Sequence, residues 1–234
     1  MTIQLPPDNP LVSIIVLALN EEGQIGSTLR ALQTLSGEKE ILVADGGSDD
    51  RTVDIATSLG VRVVSCERGR GCQIRTAALE ARGTVLWFVH ADTRPQNGSL
   101  ESIHDSLRDS AAAGGNFSLV FEGDHYSAQQ MTSIYPYLRR LGLSYGDAGI
   151  FMRRSVYDAI GGCRDYPLFE DLDMIRRMKR LGNFVHLSTK IFTSARRFSG
   201  PQYVRIWALW ITLQILYWAG VSPHRLARWY RLAR

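Results

Sequence analysis

The sequence predicts one α/β fold with a mostly parallel central sheet flanked by helices, and three observations carry that expectation. Apolar runs of strand length recur along the first half of the chain, each followed by a stretch of helical periodicity. Polar residues cluster directly after those runs, where an open parallel sheet binds its ligands. At 234 residues, 45% hydrophobic and 21% charged, the chain is long enough for one sizeable core and short for two.

The elements follow in order. Leu11 to Leu19 is a nearly continuous apolar run, the mark of a buried strand, and after Asn20-Glu21-Glu22 the spacing of Ile25, Leu29 and Leu32 predicts a helix. The same unit returns as Glu40 to Ala44 with a helix from about Asp50, as Val61 to Ser65 with a helix over Gly71 to Ala81, and as Val85 to Val89 with a helix over Leu100 to Leu107. Strand and helix alternating at this spacing mean βαβ crossovers. After Ala113 the rhythm changes: Asn116 to Phe121 reads as a strand of alternating side chains and Tyr126 to Leu141 as a longer helix. A strand at Gly149 to Met152, a helix over Glu170 to Leu181 and a strand at Phe184 to Leu187 complete the sheet. No repeat or low-complexity linker divides the chain.

The formal charge of +4 is unevenly placed. From Tyr203 onward there are five arginines (205, 225, 228, 231, 234) and no acids, which leaves 22 basic against 23 acidic residues in Met1 to Gln202. A nucleic-acid-binding face on the main domain therefore has no compositional support. Four of the five tryptophans (207, 210, 218, 229) share that tail with the uncharged stretch Ile206 to Pro223, so a helix there is apolar nearly all round. The chain thus divides into a domain over 1–202 and a basic, Trp-rich helical tail over 203–234. Such a tail suits a membrane surface, packing against the domain or a second subunit in a homo-oligomer, or a short span. Cys66, Cys72 and Cys163 match no metal-ligand spacing, and the N-terminus shows no secretory signal. The expected location is cytoplasmic, with the tail peripheral on the inner face of the membrane.

The residues after each strand carry the chemistry. Asp45 follows Ile-Leu-Val-Ala and lies too early to cap the next helix, so it reads as a ligand-facing carboxylate. Asp50 reads equally as a helix cap. Gly69-Arg70-Gly71 lacks the third glycine of a dinucleotide fingerprint. His90 and Asp92 leave one strand end on the same side and can together hold a hard divalent cation, with Asp92 the stronger oxygen ligand. Glu170, Asp171 and Asp173 crowd a helix start. Asp173 reads as an acidic first turn complementing the helix dipole. For Glu170 and Asp171 crowding disfavours joint ionisation, so one can gain the raised pKa of a general base.

The order of these motifs resembles the inverting family 2 glycosyltransferases of the GT-A fold: Asn-Glu after strand one, Val-Ala-Asp-Gly-Gly-Ser-Asp-Asp-Arg-Thr after strand two, Phe-Val-His-Ala-Asp-Thr after strand four, and a late Glu-Asp-Leu-Asp. The resemblance spans about Val12 to Phe198. Gly146-Asp147-Ala148-Gly149-Ile150-Phe151-Met152-Arg153-Arg154 and Ser194-Ala195-Arg196-Arg197-Phe198 are similar in particular to a bacterial subgroup, the radical-SAM/selenodomain-associated transferases.

The resemblance implies a Rossmann-like nucleotide-diphospho-sugar transferase fold and a UDP- or GDP-linked sugar donor. It places that donor among Leu17, Leu19, Glu21, Asp45, Gly46, Arg70, Gln73, Arg75, Ala91 and Asp92. Asp92 matches the last aspartate of a metal-binding Asp-x-Asp for Mn2+ or Mg2+, with His90 where the first aspartate stands. Asp171 matches the catalytic base, with Glu170 beside it near the hydroxyl acceptor. Asp147, Arg196 and Arg197 fall on the acceptor or phosphate side. Leu17 and Leu19 replace the family's usual proline and tyrosine, and Arg75 replaces a common asparagine. A nucleotidyltransferase needs a phosphate-cradling glycine loop after strand one, which Asn20-Glu21-Glu22-Gly23 does not resemble. A tethered nucleotide-sugar-binding module with little activity is the other reading His90 leaves open.

Overall fold

The computed structural model describes residues 11–123, 126–140, 143–196 and 203–232. The first half alternates as expected: β1 (Val12–Ala18), α1 (Ile25–Gln33), β2 (Lys39–Asp45), α2 (Thr52–Ser58), β3 (Arg62–Ser65), α3 (Arg70–Glu80), β4 (Val85–His90). There follow β5 (Thr93–Pro95), α4 (Ser99–Ser106), β6 (Ala112–Glu122), α5 (Tyr126–Arg140), a 3-10 turn (Gly146–Ala148), β7 (Phe151–Arg153), α6 (Arg154–Ala159), α7 (Glu170–Met178) and β8 (Asn183–Ser194). Two C-terminal helices, α8 (Tyr203–Trp218) and α9 (Pro223–Leu232), close the order.

The strands form one sheet of eight in the order β3-β2-β1-β4-β7-β6-β8-β5. The β3-β2-β1-β4 half is parallel throughout. The other half is mixed: β7 runs antiparallel to β4 and β6, β8 is parallel to β6, and β5 is antiparallel to β8. "Mostly parallel" therefore holds for the β3-β2-β1-β4 half and gives way to a mixed sheet beyond β4, where β7 runs antiparallel to both its neighbours.

Successive residues of each strand point into opposite layers. Val12, Ile14 and Val16 with Val85, Trp87 and Val89 pack beneath α1, α2, α4 and α5 through Ile25, Leu29, Ala56, Ile103 and Tyr135. Ile15, Leu42, Leu86 and Phe88 pack on the other face against Ile74, Ala77, Val156 and Met174 of α3, α6 and α7. At the sheet's waist Gly149 takes φ +64 where a Cβ would stand 2.8 Å from Ile191 and 2.9 Å from the Trp87 indole nitrogen, so glycine is required. Cys66, Cys72 and Cys163 are free thiols.

Two expectations change. The strand expected over Phe184 to Leu187 runs on to Ser194, since Ser188, Thr189 and Lys190 belong to a strand with one wet face. The single apolar tail helix is two helices, broken at Ala219 to Ser222, where Gly220 takes φ +90 and Pro223 opens α9. One face of the pair packs on the domain, with Leu213, Leu226 and Ala227 joining Leu168 and Phe169. Ile211, Ile215 and Trp218 on the other face are 48%, 56% and 60% exposed. No described helix is long and apolar enough to cross a membrane.

Candidate active site

The parallel strands end level: Ala18 pairs with Asp45, and Leu17 with His90. Their loops are laced together. Asn20, left-handed at φ 54, accepts the Asp49 N–H at Oδ1 (2.8 Å) and donates its own N–H to Ser48 Oγ (2.9 Å). The Glu21 N–H donates to Thr52 Oγ1 at 2.8 Å and the Glu22 N–H to Asp50 Oδ2 at 3.0 Å. Asp50, which also accepts the Thr52 N–H at 2.9 Å, therefore fastens the start of α2 to the first loop.

Asp45 is buried, and both its oxygens are engaged by its own turn. Oδ2 accepts the N–H groups of Gly47 and Ser48, each at 3.0 Å, and Oδ1 the Ser48 hydroxyl at 2.5 Å. It thus organises the loop as well as lying at the ligand end of the sheet. Gln73 is tied to the backbone as well. Its buried amide donates to the carbonyls of Ala18 (2.8 Å) and Ala44 (2.7 Å), clamping β1 to β2, and Gly46 sits on that amide. With its amide N–H groups committed to two strand-end carbonyls, Gln73 braces the floor of the site. Leu17 is core, and Leu19 is half-buried at the loop. Ala91 is buried, with its carbonyl held by the Thr28 hydroxyl at 2.7 Å. Arg75 is exposed and meets Cys72 Sγ at 3.4 Å.

The long β8 brings distant residues to this end. Thr193 pairs with Thr93, and its hydroxyl lies 3.4 Å from Asp92 Oδ1. Arg196 follows, its guanidinium bonded to Glu21 across 175 positions of sequence and 3.8 Å from Asp92 Oδ2. His90 turns elsewhere: its Nε2 lies 3.4 Å from Asp147 Oδ1 in the 3-10 turn. Asp92 and His90 thus point their described contacts at different neighbours, and among the described residues no group of three His, Cys, Asp or Glu side chains is assembled for a metal. β4 stops at His90, and the chain turns before Asp92. Arg197 lies outside the described residues.

The carboxylates of α7 gather opposite. Asp171 is half-buried, with Oδ2 accepting the Gly146 N–H and Oδ1 the Leu172 N–H, both at 2.7 Å. Glu170 is buried, 3.8 Å from Arg70 Nη1. Burial, then the adjacent Asp171 charge, push the Glu170 carboxyl up to about 7 against the pull of Arg70. Burial also raises Asp171, opposed by the Gly146 bond and the Arg70 charge. Burial, more than mutual repulsion, is thus what raises the pair. Asp173 proves to be more than a dipole partner: fully buried, it holds Arg177 at 2.7 Å, Arg164 at 3.4 Å and Arg176 at 3.6 Å.

Some residues of the site carry no sequence signal. Phe169 caps α7 at φ 63, and Tyr145 precedes the 3-10 turn. Their partners lie on α8, beyond the reach of any local pattern.

The family model described as Glycosyl transferase family 2 matches residues 13–164. The chain is 24% identical over 224 residues to the probable glycosyltransferase YdaM of Bacillus subtilis, covering 85% of this chain and 53% of that protein, and so spans about half of that relative. It is 28% identical over 167 residues to the dolichyl-phosphate hexose transferase of Haloferax volcanii, covering 69% of each. Among solved structures it is similar to the mannosyltransferase PcManGT of Pyrobaculum calidifontis in complex with GDP-Man and Mn2+, with TM-score 0.67, 16% identity, and coverage of 92% of this chain and 66% of that one. Glucosyl-3-phosphoglycerate synthase of Mycobacterium tuberculosis in complex with Mn2+, UDP and glucosyl-3-phosphoglycerate gives TM-score 0.58 at 19% identity, covering 77% and 70%. These likenesses show the GT-A fold.

Proposed function

Because this chain belongs to glycosyl transferase family 2, we propose that it transfers a sugar, with inversion, from a UDP- or GDP-linked donor to an acceptor hydroxyl, with Asp171 as general base. The observation that carries the reading is the hold on Asp171: two backbone N–H groups at 2.7 Å favour its ionised form inside a half-buried site, while burial keeps the neighbouring Glu170 near neutrality. Asp171 accepts the acceptor's proton as the hydroxyl attacks the anomeric carbon. One displacement inverts that carbon. Glu170 and Arg70 set the charge around the base, and Glu21, Asp45 and Asp92 line the donor end of the strands, where such sheets take their ligands.

The donor set fits a divalent cation, Mn2+ or Mg2+. Asp92 is a carboxylate only 13% exposed whose described contacts are long, 3.4 Å to Thr193 and 3.8 Å to Arg196, so its lone pairs are available to a hard ion. Asp92 would hold that ion, with His90 the second candidate, and the ion would neutralise charge on the departing diphosphate. The relatives bound to GDP-Man, UDP and Mn2+ support the same chemistry. Thermal-shift measurement with UDP and GDP, with and without Mn2+, tests the reading: one nucleotide should raise the melting midpoint, and more so with the metal. A midpoint unmoved by either nucleotide contradicts it.

The tail over 203–234, appended to the 1–202 domain, supports a location at the inner, anionic face of the membrane. Ile211, Ile215, Trp218 and Trp229 are exposed, as are Arg205, Arg225 and Arg228, in a segment without acids. Exposed apolar and basic side chains in one segment suit peripheral docking on anionic lipid.

A further inference from the structure

We infer that the inner face of α8 positions the catalytic end of the site, with Tyr217 and Trp210 holding Phe169 and Gln214 holding Tyr145. This rests on Asp171 as the base.

Asn20 and Phe169 are the non-glycine residues with positive φ among those described. A bulky side chain in the left-handed region costs on the order of 1–3 kcal/mol and persists only where its surroundings fix it. Here they do. The Phe169 ring stacks on Tyr217 (centroids 4.9 Å apart, planes at 29°) and meets Trp210 edge-on at 6.0 Å. Glu170 and Asp171 are the next two residues, so relaxation of Phe169 into an ordinary basin would swing both carboxylates.

The second contact reaches the same carboxylate from the other side. The Tyr145 hydroxyl donates to Gln214 Oε1 at 2.6 Å, and the next N–H along the chain, that of Gly146, donates to Asp171 Oδ2. Gln214 is buried on a largely apolar helix, and its Nε2 has no hydrogen-bond partner among the described residues. An unsatisfied buried amide costs stability, so packing alone favours leucine there. Its bond to Tyr145 is the described contact that uses the amide. α8 thus fixes both segments that meet at Asp171: residues 145–146 through Gln214, and residues 169–171 through Tyr217 and Trp210.

The test uses the full chain and Gln214→Leu, with Tyr145→Phe removing the same bond from its other end. Hydrogen exchange at the Gly146 amide, read against that of Val16 in the buried β1, reports the hold on Asp171 without requiring turnover. Both variants should speed Gly146 exchange about tenfold while Val16 is unchanged. With UDP-glucose or GDP-mannose as probe and water as acceptor, whichever the wild type turns over should show kcat reduced about tenfold at unchanged KM. Gly146 exchange that stays at the wild-type rate, or changes only in step with Val16, overturns the inference. The two claims separate: if Asp171→Asn retains wild-type turnover while Gly146 exchange responds, the base assignment fails and the positioning stands. If Asp171→Asn is inactive and Gly146 exchange does not respond, the positioning fails alone.

Discussion

The backbone N–H of Gly146 donates to Oδ2 of Asp171 at 2.7 Å across 25 positions of sequence, joining the 3-10 turn before β7 to the first turn of α7. That bond favours the charged form of Asp171 against the burial that raises its carboxyl. Asp171 receives it and the Leu172 N–H, whereas Glu170 lies 3.8 Å from Arg70 and is pushed up to about 7.

Turnover should follow this pair's ionisation. A base must be deprotonated to act, so kcat should rise with pH as Asp171, whose carboxyl burial raises, gives up its proton. Glu170→Gln removes the neighbouring charge and should move the acid limb of the kcat profile to lower pH. An unmoved limb contradicts the coupling.

Stability carries the opposite sign. Glu170 rises on folding from 4.5 to about 7, so its contribution is fully present below 4.5 and is lost as pH climbs through about 7. Glu170→Gln should therefore stabilise the fold above pH 7, by on the order of 2–3 kcal/mol. Melting curves of both chains from pH 4 to about 8 check this; curves that diverge only at low pH would have the sign wrong.

Asp173 is predicted to be structural. It lies fully buried among Arg164, Arg176 and Arg177, and Asp173→Asn strands the Arg177 charge with a neutral partner. The expected loss is about 3 kcal/mol in urea unfolding, as for other buried pairs broken on one side. A loss below about 1 kcal/mol, as at an exposed pair, contradicts that role.

Asp92→Ala should abolish the Mn2+-dependent part of nucleotide binding while leaving the metal-free part, because the Asp45 loop is untouched. Titration calorimetry with and without Mn2+ measures both. Undiminished metal dependence in the variant removes Asp92 from the cation site.

Ile211→Ser, Ile215→Ser and Trp218→Ser together should prevent flotation with phosphatidylserine-containing vesicles and leave the inner face of α8 intact. A triple variant that floats as well as the wild type excludes docking through this stripe. A wild type that does not float but dimerises in sedimentation assigns the stripe to a second copy.

Legibility in the sequence followed the range of the interactions. The β1 to β4 half was readable because buried parallel strands are continuous apolar runs and their polar ends mark the ligand side. Local pattern carries no signal where a residue's partner lies far along the chain. Nothing near Gln73 says that its amide will bridge Ala18 and Ala44, and nothing near Phe169 announces Trp210 and Tyr217. The polar stretch Ser188 to Lys190 hid the continuation of β8, and with it the route by which Arg196 reaches Glu21 and Asp92. The tail's uniform apolarity concealed which face would be covered, since a helix apolar all round has no preferred side until its neighbour is in place.

The most direct test of the central claim compares wild type with Asp171→Asn in Mn2+-supported release of UDP or GDP from the sugar nucleotide, alongside donor binding by thermal shift. The variant should lose at least about a hundredfold in turnover and bind donor as the wild type does. Asp171→Asn turning over donor at the wild-type rate would show that another group takes the acceptor's proton.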